Sequence, residues 1–403
     1  MAQAKEATIA RSRTKERVGE FQLGGIMVVS ICHFVHDVYT SFLSPLLPLL
    51  IEKFSLTLTQ AGFLGTVTQL PALINPLLGR WADRGRNTRW FIILAPAMTA
   101  VPMSLLGVAP SYGVIVLLLV VTGISTSIFH VPAPVLVSQL AGDRKGRGMS
   151  FFMMGGELAR TLGPVAAVGL VSLMGLSGYW PVMGVGIFAS VWVGIRFREM
   201  PLAAGGKKSI PLRQTWREMS PVLKPLTGIL FARGFMHGAM ATFLPIFIRQ
   251  ETGSLWLAGA GLALYEAAGV VGIFSAGPLS DRIGRRKVLR LCLICAPLGV
   301  LAFVTAPGWM KAPALMFTGF SLLSTTPVML AMVQEHASTS PSSANGFFMM
   351  ISFLARSSVV VLIGFLGDMM GLTATYFITA AFGLAGIPFL LMLPAKKNER
   401  VIA

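Results

Sequence analysis

The sequence predicts an all-α membrane protein with twelve transmembrane helices, arranged as two six-helix bundles related by pseudo-two-fold symmetry. Of its 403 residues, 54% are hydrophobic and only 12% are charged, whereas a soluble domain typically carries about 25% charged residues. Apolar runs of roughly 20 residues, the length that spans a bilayer as a helix, recur along the whole chain. Short motifs of the first half also return in the second half.

The apolar runs fall into two groups of six, separated by one long polar stretch. They predict helices at 21–50, 59–80, 90–109, 112–140, 148–173, 178–197, 221–249, 256–279, 286–307, 311–335, 344–367 and 371–394. The domain boundaries follow from this grouping. We expect an N-terminal tail at 1–20, a first bundle at 21–197, a linker at 198–220, a second bundle at 221–394 and a C-terminal tail at 395–403.

The distribution of Lys and Arg predicts the orientation in the membrane. With the N-terminus inside, the inner segments hold 27 of these residues, and the outer loops hold only Lys53, Arg249 and Lys311. Cytoplasmic loops carry such an excess, so both termini are expected in the cytoplasm. The net charge of +17 therefore indicates topology rather than nucleic-acid binding. The tail lacks the apolar core of a signal peptide, and a bacterial cytoplasmic (inner) membrane is the expected location.

An internal repeat relates the two halves. The segment 79–86 follows the second predicted helix, and a similar segment, 277–286, follows the eighth, 198 positions later. The segment 151–160, beginning Phe-Phe-Met-Met and ending Leu-Ala-Arg, recurs at 347–356 with an offset of 196. Predicted helices 2 and 5 thus correspond to helices 8 and 11.

On these loop motifs and repeats, the chain resembles the major facilitator superfamily over essentially its whole length. The resemblance implies two bundles that rock about a central site, with cytoplasmic Asp/Arg pairs acting as gates. The second copy of the loop motif matches fully, while in the first copy Gly85 stands one place early. The implied gating residues are Gly79, Asp83, Arg84, Arg86, Gly277, Asp281, Arg282 and Arg285.

Within that superfamily, the chain is similar to efflux proteins of the fosmidomycin-resistance type. The matching segments are 33–37, 127–130, 155–156, 162–164 and 334–335. The sequence departs from the pattern in helix 4, where the acidic residue expected after a His-Pro pair is missing. Glu157 and Arg160 also replace uncharged positions. The Gly163-Pro164 element resembles a helix-5 antiporter motif, without the usual glycine pair after it. The resemblance implies proton-coupled export.

Several ionisable residues lie inside predicted membrane helices, where a charge costs about 2.5–3.5 kcal/mol on insertion scales. Such residues usually face a cavity or a partner, so they are candidate site residues. They are Asp37, Glu157, Arg160, Arg233, Glu266 and Arg356, together with His33, His36, His130 and His237.

Arg160 and Arg356 occupy equivalent places in the two halves. Pseudo-two-fold symmetry would place their guanidinium groups on opposite sides of a central cavity, where they suit carboxylate or phosphonate oxygens. Arg233 adds a third cation. The alternatives are a structural pair between Arg160 and Glu157, three residues earlier on one helical face, and pairing of Arg356 with Glu266 or with backbone carbonyls. The three histidines predicted to contribute to substrate binding are His33, His130 and His237.

Coupling to a proton needs a group that changes protonation between the two faces of the membrane. Glu157, beside Arg160, is the first candidate because proton and substrate anion could compete for, or jointly satisfy, the arginine. Asp37, next to His36, and Glu266 are its rivals.

The predicted function is secondary transport of a small organic anion, with the bilayer and a proton as its other partners and a monomer as its state. Efflux of amphipathic compounds is an alternative, and divalent-metal transport through His33, His36, Asp37 and His130 is a weaker one because three arginines oppose it. No nucleophile–base arrangement or phosphate-binding loop indicates an enzyme. The cysteines lie in apolar runs, so neither a metal nor a cofactor is expected.

Overall fold

The computed structural model describes residues 21–75, 77–78, 88–142, 144–198, 211–336 and 341–394. Within these ranges the chain is helical and contains no strand. Ten of its helices are long and apolar enough to cross a membrane. One of them, Gly346–Leu391, contains two helices in succession. Counted as two, and taken together with the second helix of the chain, Leu58–Val67, these helices are consistent with the twelve predicted.

The first half contains six helices. They are α1 (Leu23–Thr40, continued by Leu43–Phe54), α2 (Leu58–Val67, continued by the 3-10 turn Leu70–Ile74), α3 (Thr88–Leu105), α4 (Tyr112–His130, continued by Pro132–Leu140), α5 (Lys145–Met174) and α6 (Met183–Arg198).

The second half repeats this arrangement. Its first four helices are α7 (Leu212–Gly238, a π turn Ala239–Phe243, then Leu244–Thr252), α8 (Leu255–Ile283), α9 (Arg285–Thr305) and α10 (Lys311–Leu323, continued by Thr325–His336). The last two, α11 and α12, share the range Pro341–Leu384 and meet at Gly371, and α12 is continued by Gly386–Leu391. Gly371 has φ +79°, a left-handed conformation that glycine adopts without steric cost.

Helix α7 begins at Leu212, earlier than the predicted span at 221. The difference arises because Arg213, Arg217 and Glu218 interrupt the apolar pattern of its first turns. These turns are nevertheless anchored to the bundle, since Trp216 packs against Phe347 with ring centroids 5.4 Å apart.

Two pairs of symmetry-related helices are broken at corresponding places. Helix α1 is interrupted at 41–42 and α7 has its π turn at Ala239–Phe243. Helix α4 breaks just before Pro132, and α10 breaks at Ser324. Breaks in spanning helices are tolerated where neighbouring groups satisfy the freed backbone, and they commonly surround a binding site in transporters.

The two halves approach closely where α2 crosses α11. A Cβ on Gly62 would lie 2.7 Å from the carbonyl oxygen of Val360, and one on Gly364 would lie 2.3 Å from that of Leu58. Both distances are shorter than a van der Waals contact, so larger residues would force the helices apart. Small residues allow this kind of close packing in membranes.

Polar contacts close one face of the molecule, which carries the α1–α2 loop (55–57) and which we name the loop-1 face. The Asp368 carboxylate, at the end of α11, accepts hydrogen bonds from the amides of Leu58 (2.7 Å) and Thr59 (2.8 Å) and from the Thr59 hydroxyl (2.5 Å). It therefore caps the N-terminus of α2 from the opposite half. Arg249 and Glu52 also join the halves here, at 3.3 Å.

We expect Asp368→Asn to weaken closure of the loop-1 face. The change removes the carboxylate that caps α2, an interaction worth about 1 kcal/mol, so the thermal unfolding temperature should fall slightly. The state open at this face should become more populated. With the three native cysteines replaced, a cysteine at Thr242, which adjoins α2 at Gly65, should react faster with a membrane-impermeant maleimide.

Glu251→Gln is the matched control for this variant. Glu251 pairs with Lys311, but both residues belong to the second half, so the change removes an ion pair without freeing one half from the other. Equal maleimide rates in the two variants would contradict a role of Asp368 in closure.

Candidate functional site

The centre of the molecule contains a cluster of charged side chains contributed by both halves. Glu157 and Arg160 lie on α5 of the first half, whereas Arg233 on α7, Glu266 on α8 and Arg356 on α11 belong to the second half. Glu157, Arg233 and Glu266 are buried. The charges of Arg160, Arg233 and Glu266 all act on Arg356, so these groups share one electrostatic environment.

Arg160 bridges two carboxylates. It forms an ion pair with Glu157 on its own helix, and its Nε lies 3.9 Å from Oε2 of Glu266 across the interface between the halves. The pair with Glu157 is the structural alternative that the sequence left open. The Arg160 side chain nevertheless remains 43% exposed, so part of its guanidinium is free to meet a solute.

Arg356 is held by neutral groups. One terminal nitrogen lies 3.1 Å from Nε2 of His237, and the other donates to the side-chain oxygen of Gln69 at 3.0 Å. Because Nε2 accepts from a guanidinium, the proton of His237 lies on Nδ1, which faces the Tyr265 hydroxyl at 3.4 Å. Among the described residues, no carboxylate lies within ion-pair distance of Arg356, and its Nε is buried without a hydrogen-bond partner.

The contacts of Arg160 and Arg356 are related by the internal repeat. Arg160 on α5 reaches Glu266 on α8, and Arg356 on α11 reaches Gln69 on α2. The two arginines are 196 positions apart and their partners 197, so each half sends an arginine to the same place on the other half. Sequence reasoning missed Gln69 because it considered only ionisable residues; the repeat offsets of 196 and 198 applied to Glu266 lead to Leu70 and Thr68, the two neighbours of Gln69.

Arg233 also lacks an acidic partner in the described chain. Its terminal nitrogen donates to the carbonyl oxygen of Leu322 (3.3 Å) and to the Thr326 hydroxyl (3.1 Å), at the break in α10, and its Nε has no partner. The central cluster thus contains three guanidinium groups and two carboxylates. With both carboxylates ionised, it carries one excess positive charge.

A second cluster surrounds Asp37 on α1. Its carboxylate lies 3.2 Å from Nε2 of His33, 2.8 Å from Nδ1 of His36 and 3.4 Å from Nε2 of His130, the last on α4. The predicted histidines are therefore divided, since His33 and His130 contact Asp37 whereas His237 contacts Arg356.

The gating motif is described in its second copy. Arg285 forms ion pairs with Asp281 (2.5 Å) and with Glu335 of α10 (3.2 Å), and it donates to the carbonyl oxygen of Gly277 at 3.5 Å. Arg282 is exposed. Glu335 is therefore part of this network, although the sequence indicated only a match to a family motif. The first copy lies outside the described residues, and it comprises Gly79, Asp83, Arg84 and Arg86.

Comparison with known proteins relates this chain to transporters. The sequence profile of the Major Facilitator Superfamily matches residues 29–357 and again 226–403. The chain is 25% identical to the fosmidomycin resistance protein of Escherichia coli (strain K12), over 98% of this chain and 97% of that protein. It is also 25% identical to the multidrug resistance protein MdtG of Serratia proteamaculans (strain 568), over 66% of this chain and 68% of the relative.

Solved structures share the fold. A bacterial homologue of the human lysosomal transporter Spinster, in an inward-facing and occupied conformation, superposes with a TM-score of 0.81 at 14% identity, covering 93% of this chain and 97% of that one. A D-xylose–proton symporter gives 0.76 at 14% identity, with coverages of 94% and 99%.

We expect Gln69→Glu to stabilise the protein in the absence of a solute. The new carboxylate would face Arg356 as Glu266 faces Arg160, and a hydrogen bond to a charged group contributes about 1.5–3 kcal/mol. The thermal unfolding temperature should therefore rise, whereas Gln69→Leu, the control that removes the acceptor, should lower it. If both variants lower it equally, Arg356 is not the unpaired cation described above.

Proposed function

Because the chain belongs to the Major Facilitator Superfamily, and is therefore a multi-pass membrane transporter of small molecules, we propose that it exports a small organic anion by alternating access with a proton as coupling ion. The observation that carries the proposal is the excess of positive charge at the interface between the halves. Arg356 reaches the first half at Gln69, Arg233 is buried in the second half, and neither has a carboxylate partner in the described chain.

The chemistry of the central cluster favours an anion with a carboxylate or phosphonate group. A guanidinium presents a planar fork of donors that matches both groups and keeps its charge at any physiological pH. Arg356 has a free Nε, while His237 and Gln69 hold its two terminal nitrogens. A solute with two anionic ends could contact Arg356 at one end and the exposed part of Arg160 at the other.

The contacts between the halves support alternating access. Closure at the loop-1 face by Asp368 and by the Arg249–Glu52 pair corresponds, in the predicted orientation, to a state sealed on the outside. Opening this face would separate α2 from α11 and α5 from α8. The Arg160–Glu266 and Arg356–Gln69 contacts cross those same helix pairs, so the movement would change the surroundings of the site.

This geometry makes Glu266 the stronger candidate for the coupling proton. Glu157 lies on the same helix as Arg160, so their ion pair can persist in either state. Glu266 reaches Arg160 only across the interface and would lose that neighbour when the halves rearrange. A carboxylate that loses a cation gains affinity for a proton, which is what coupling needs.

The outward direction is supported by relatives named as resistance proteins and by the membrane potential. Protonating Glu266 removes a negative charge beside Arg160, so proton and anion should bind together. A dianion that leaves with one proton still carries one net negative charge. The inside-negative potential then favours export by about 2.3 kcal/mol per 100 mV, although a pH gradient that is acidic outside opposes it.

Replacing Arg356 should abolish recognition of the anion. The purified protein is first screened by thermal shift against mono- and dicarboxylates, phosphonates including fosmidomycin, cationic amphiphiles and divalent metals. For the best anion, Arg356→Ala should weaken binding about 100-fold, because losing a charge-assisted contact costs up to about 3 kcal/mol. Titration calorimetry measures this loss.

Arg290→Ala is the control for that variant, since Arg290 is an exposed arginine on α9. Arg160→Ala tests the opposite half in the same way. Unchanged affinity in both cavity variants would exclude recognition by the two arginines. If cationic amphiphiles stabilise the protein and anions do not, efflux of amphipathic compounds replaces the anion proposal.

Glu266→Gln should remove the pH dependence of anion binding. In the parent protein, affinity should increase from pH 8 to pH 6, because protonation of Glu266 leaves Arg160 with one carboxylate instead of two. In the variant, that carboxylate is already neutral, so affinity should be high and independent of pH. Glu157→Gln and Asp37→Asn are the comparison variants.

The outcome assigns the proton carrier among the three acids. If Glu157→Gln or Asp37→Asn removes the pH dependence and Glu266→Gln does not, the role belongs to that other acid. If affinity in the parent decreases on acidification, proton and anion compete, as in antiport, and the charge argument for joint binding is wrong.

A further inference from the structure

Two histidines of the Asp37 cluster have their tautomer fixed by the backbone. Nδ1 of His33 lies 2.8 Å from the carbonyl oxygen of Phe152, and Nδ1 of His130 lies 3.0 Å from that of Thr126. A carbonyl oxygen can only accept a hydrogen bond, so both Nδ1 atoms carry the proton. In the neutral rings, each Nε2 therefore presents a lone pair.

Both of these lone pairs point to the same carboxylate. Nε2 of His33 lies 3.2 Å from Oδ2 of Asp37, and Nε2 of His130 lies 3.4 Å from Oδ1. Three acceptors thus converge with no donor between them. Asp37 and His33 are buried, and only His130 is partly exposed, with 25% of its side chain accessible. Unpaired acceptors repel one another in a medium of low dielectric, and either a proton on one of the rings or a metal cation between the groups relieves this repulsion.

We propose that His33, Asp37 and His130 form a binding site for one divalent transition-metal ion of the Zn²⁺ type. Zn²⁺ binds imidazole nitrogen and carboxylate oxygen at about 2.0–2.2 Å, so neighbouring ligands of a tetrahedral site lie about 3.3–3.5 Å apart. Nε2 of His33 and Nε2 of His130 lie close to that distance from Oδ2 and Oδ1 of Asp37, respectively. One ligand atom from each of the three residues lies within 4.8 Å of the other two. To enclose the ion, the imidazoles would approach slightly and the carboxylate would turn or bind through both oxygens.

The surroundings of the three ligands fit a metal site. A metal-binding histidine typically donates its other ring N–H to a carbonyl or carboxylate, which fixes its orientation, and both histidines do so here. Nδ1 of His36 lies 2.8 Å from Oδ1 of Asp37 and orients the carboxylate. Phe152 stacks on the His33 ring with centroids 4.1 Å apart, which keeps water from that side.

Gly156 of α5 completes the site by leaving it space. A Cβ at this position would lie 2.7 Å from Nε2 of His33 and 3.3 Å from Oδ2 of Asp37. Any side chain would therefore occupy the region toward which the ligand atoms point. The neighbouring Gly155 allows the backbones of α5 and α1 to approach closely, since a Cβ at this position would lie 2.5 Å from the carbonyl oxygen of Ser30. The glycine pair thus brings α5 against α1 at the level of the ligands.

The ion would be resident rather than transported. Its ligands come from α1 and α4, both in the first half, so rocking of one half on the other would not expose it to alternate faces. It would instead join α1 to α4, next to the break in α4 before Pro132. The arginines of the central cluster do not prevent binding, because Arg160 is neutralised by Glu157 and Glu266. The proposal does not depend on which solute is transported.

The test uses full-length protein, purified in detergent, freed of its affinity tag and stripped with a chelator. Zn²⁺ should raise the thermal unfolding temperature by several degrees, and elemental analysis after dialysis should find one retained ion per chain. Co²⁺ should give the visible absorption of a tetrahedral nitrogen–oxygen site without a thiolate charge-transfer band. The double variant Cys292→Ser, Cys295→Ser should bind as the parent does, which excludes the thiols of α9.

His130→Gln and Asp37→Asn should abolish metal retention and the thermal shift. His336→Gln is the matched control, because His336 also lies near the end of a helix with Nδ1 2.8 Å from the carbonyl four residues earlier, and it should retain the ion. Absence of retention in the parent, or retention unchanged in His130→Gln, would overturn the proposal. So would a protein that is stabilised by acidic pH and indifferent to every metal, since protons alone would then occupy the cluster.

Discussion

The cost of placing charge inside a membrane governs how this molecule is assembled. Each ionisable side chain in the described interior has to find a counter-charge, a dipole or an aqueous cavity. The chain meets this requirement across the interface between its halves, where Arg160 contacts Glu266 and Arg356 contacts Gln69. A movement of one half relative to the other would separate these two contacts, whereas the Arg160–Glu157 pair within α5 would persist.

Much of this arrangement could be predicted from the sequence. Hydropathy and the repeat gave the helices and the equivalence of Arg160 with Arg356, because both leave periodic patterns. The first turns of α7 and the role of Gln69 could not be found in the same way. Charged residues lower the hydropathy of the first turns of α7 and so conceal them in a hydropathy plot. A neutral glutamine such as Gln69 does not stand out in an interior that also contains serines and threonines.

The histidines show a second limit of sequence reasoning. His33, His130 and His237 were grouped because all lie in membrane helices, and a sequence does not reveal which carbonyl each ring will meet. The backbone contacts of Phe152 and Thr126 determine which nitrogens face Asp37, while the Arg356 guanidinium determines the tautomer of His237. One predicted set thus separates into two clusters of opposite charge, one around the Asp37 carboxylate and one around the Arg356 guanidinium.

The repeat is symmetric in its arginines and asymmetric in their partners, and this difference has a physical consequence. A glutamate at both positions would satisfy both guanidinium groups and leave no net positive charge for a solute. A glutamine at both would leave Arg160 paired only with Glu157 on its own helix, and no titratable partner would then reach either arginine from the other half. With Glu266 on one side and Gln69 on the other, Arg160 contacts two carboxylates, while Arg356 contacts none among the described residues. In the proposed mechanism, this departure from symmetry leaves one arginine available to an anion and places the other beside a protonatable group, so that the duplicated structure can both bind and couple.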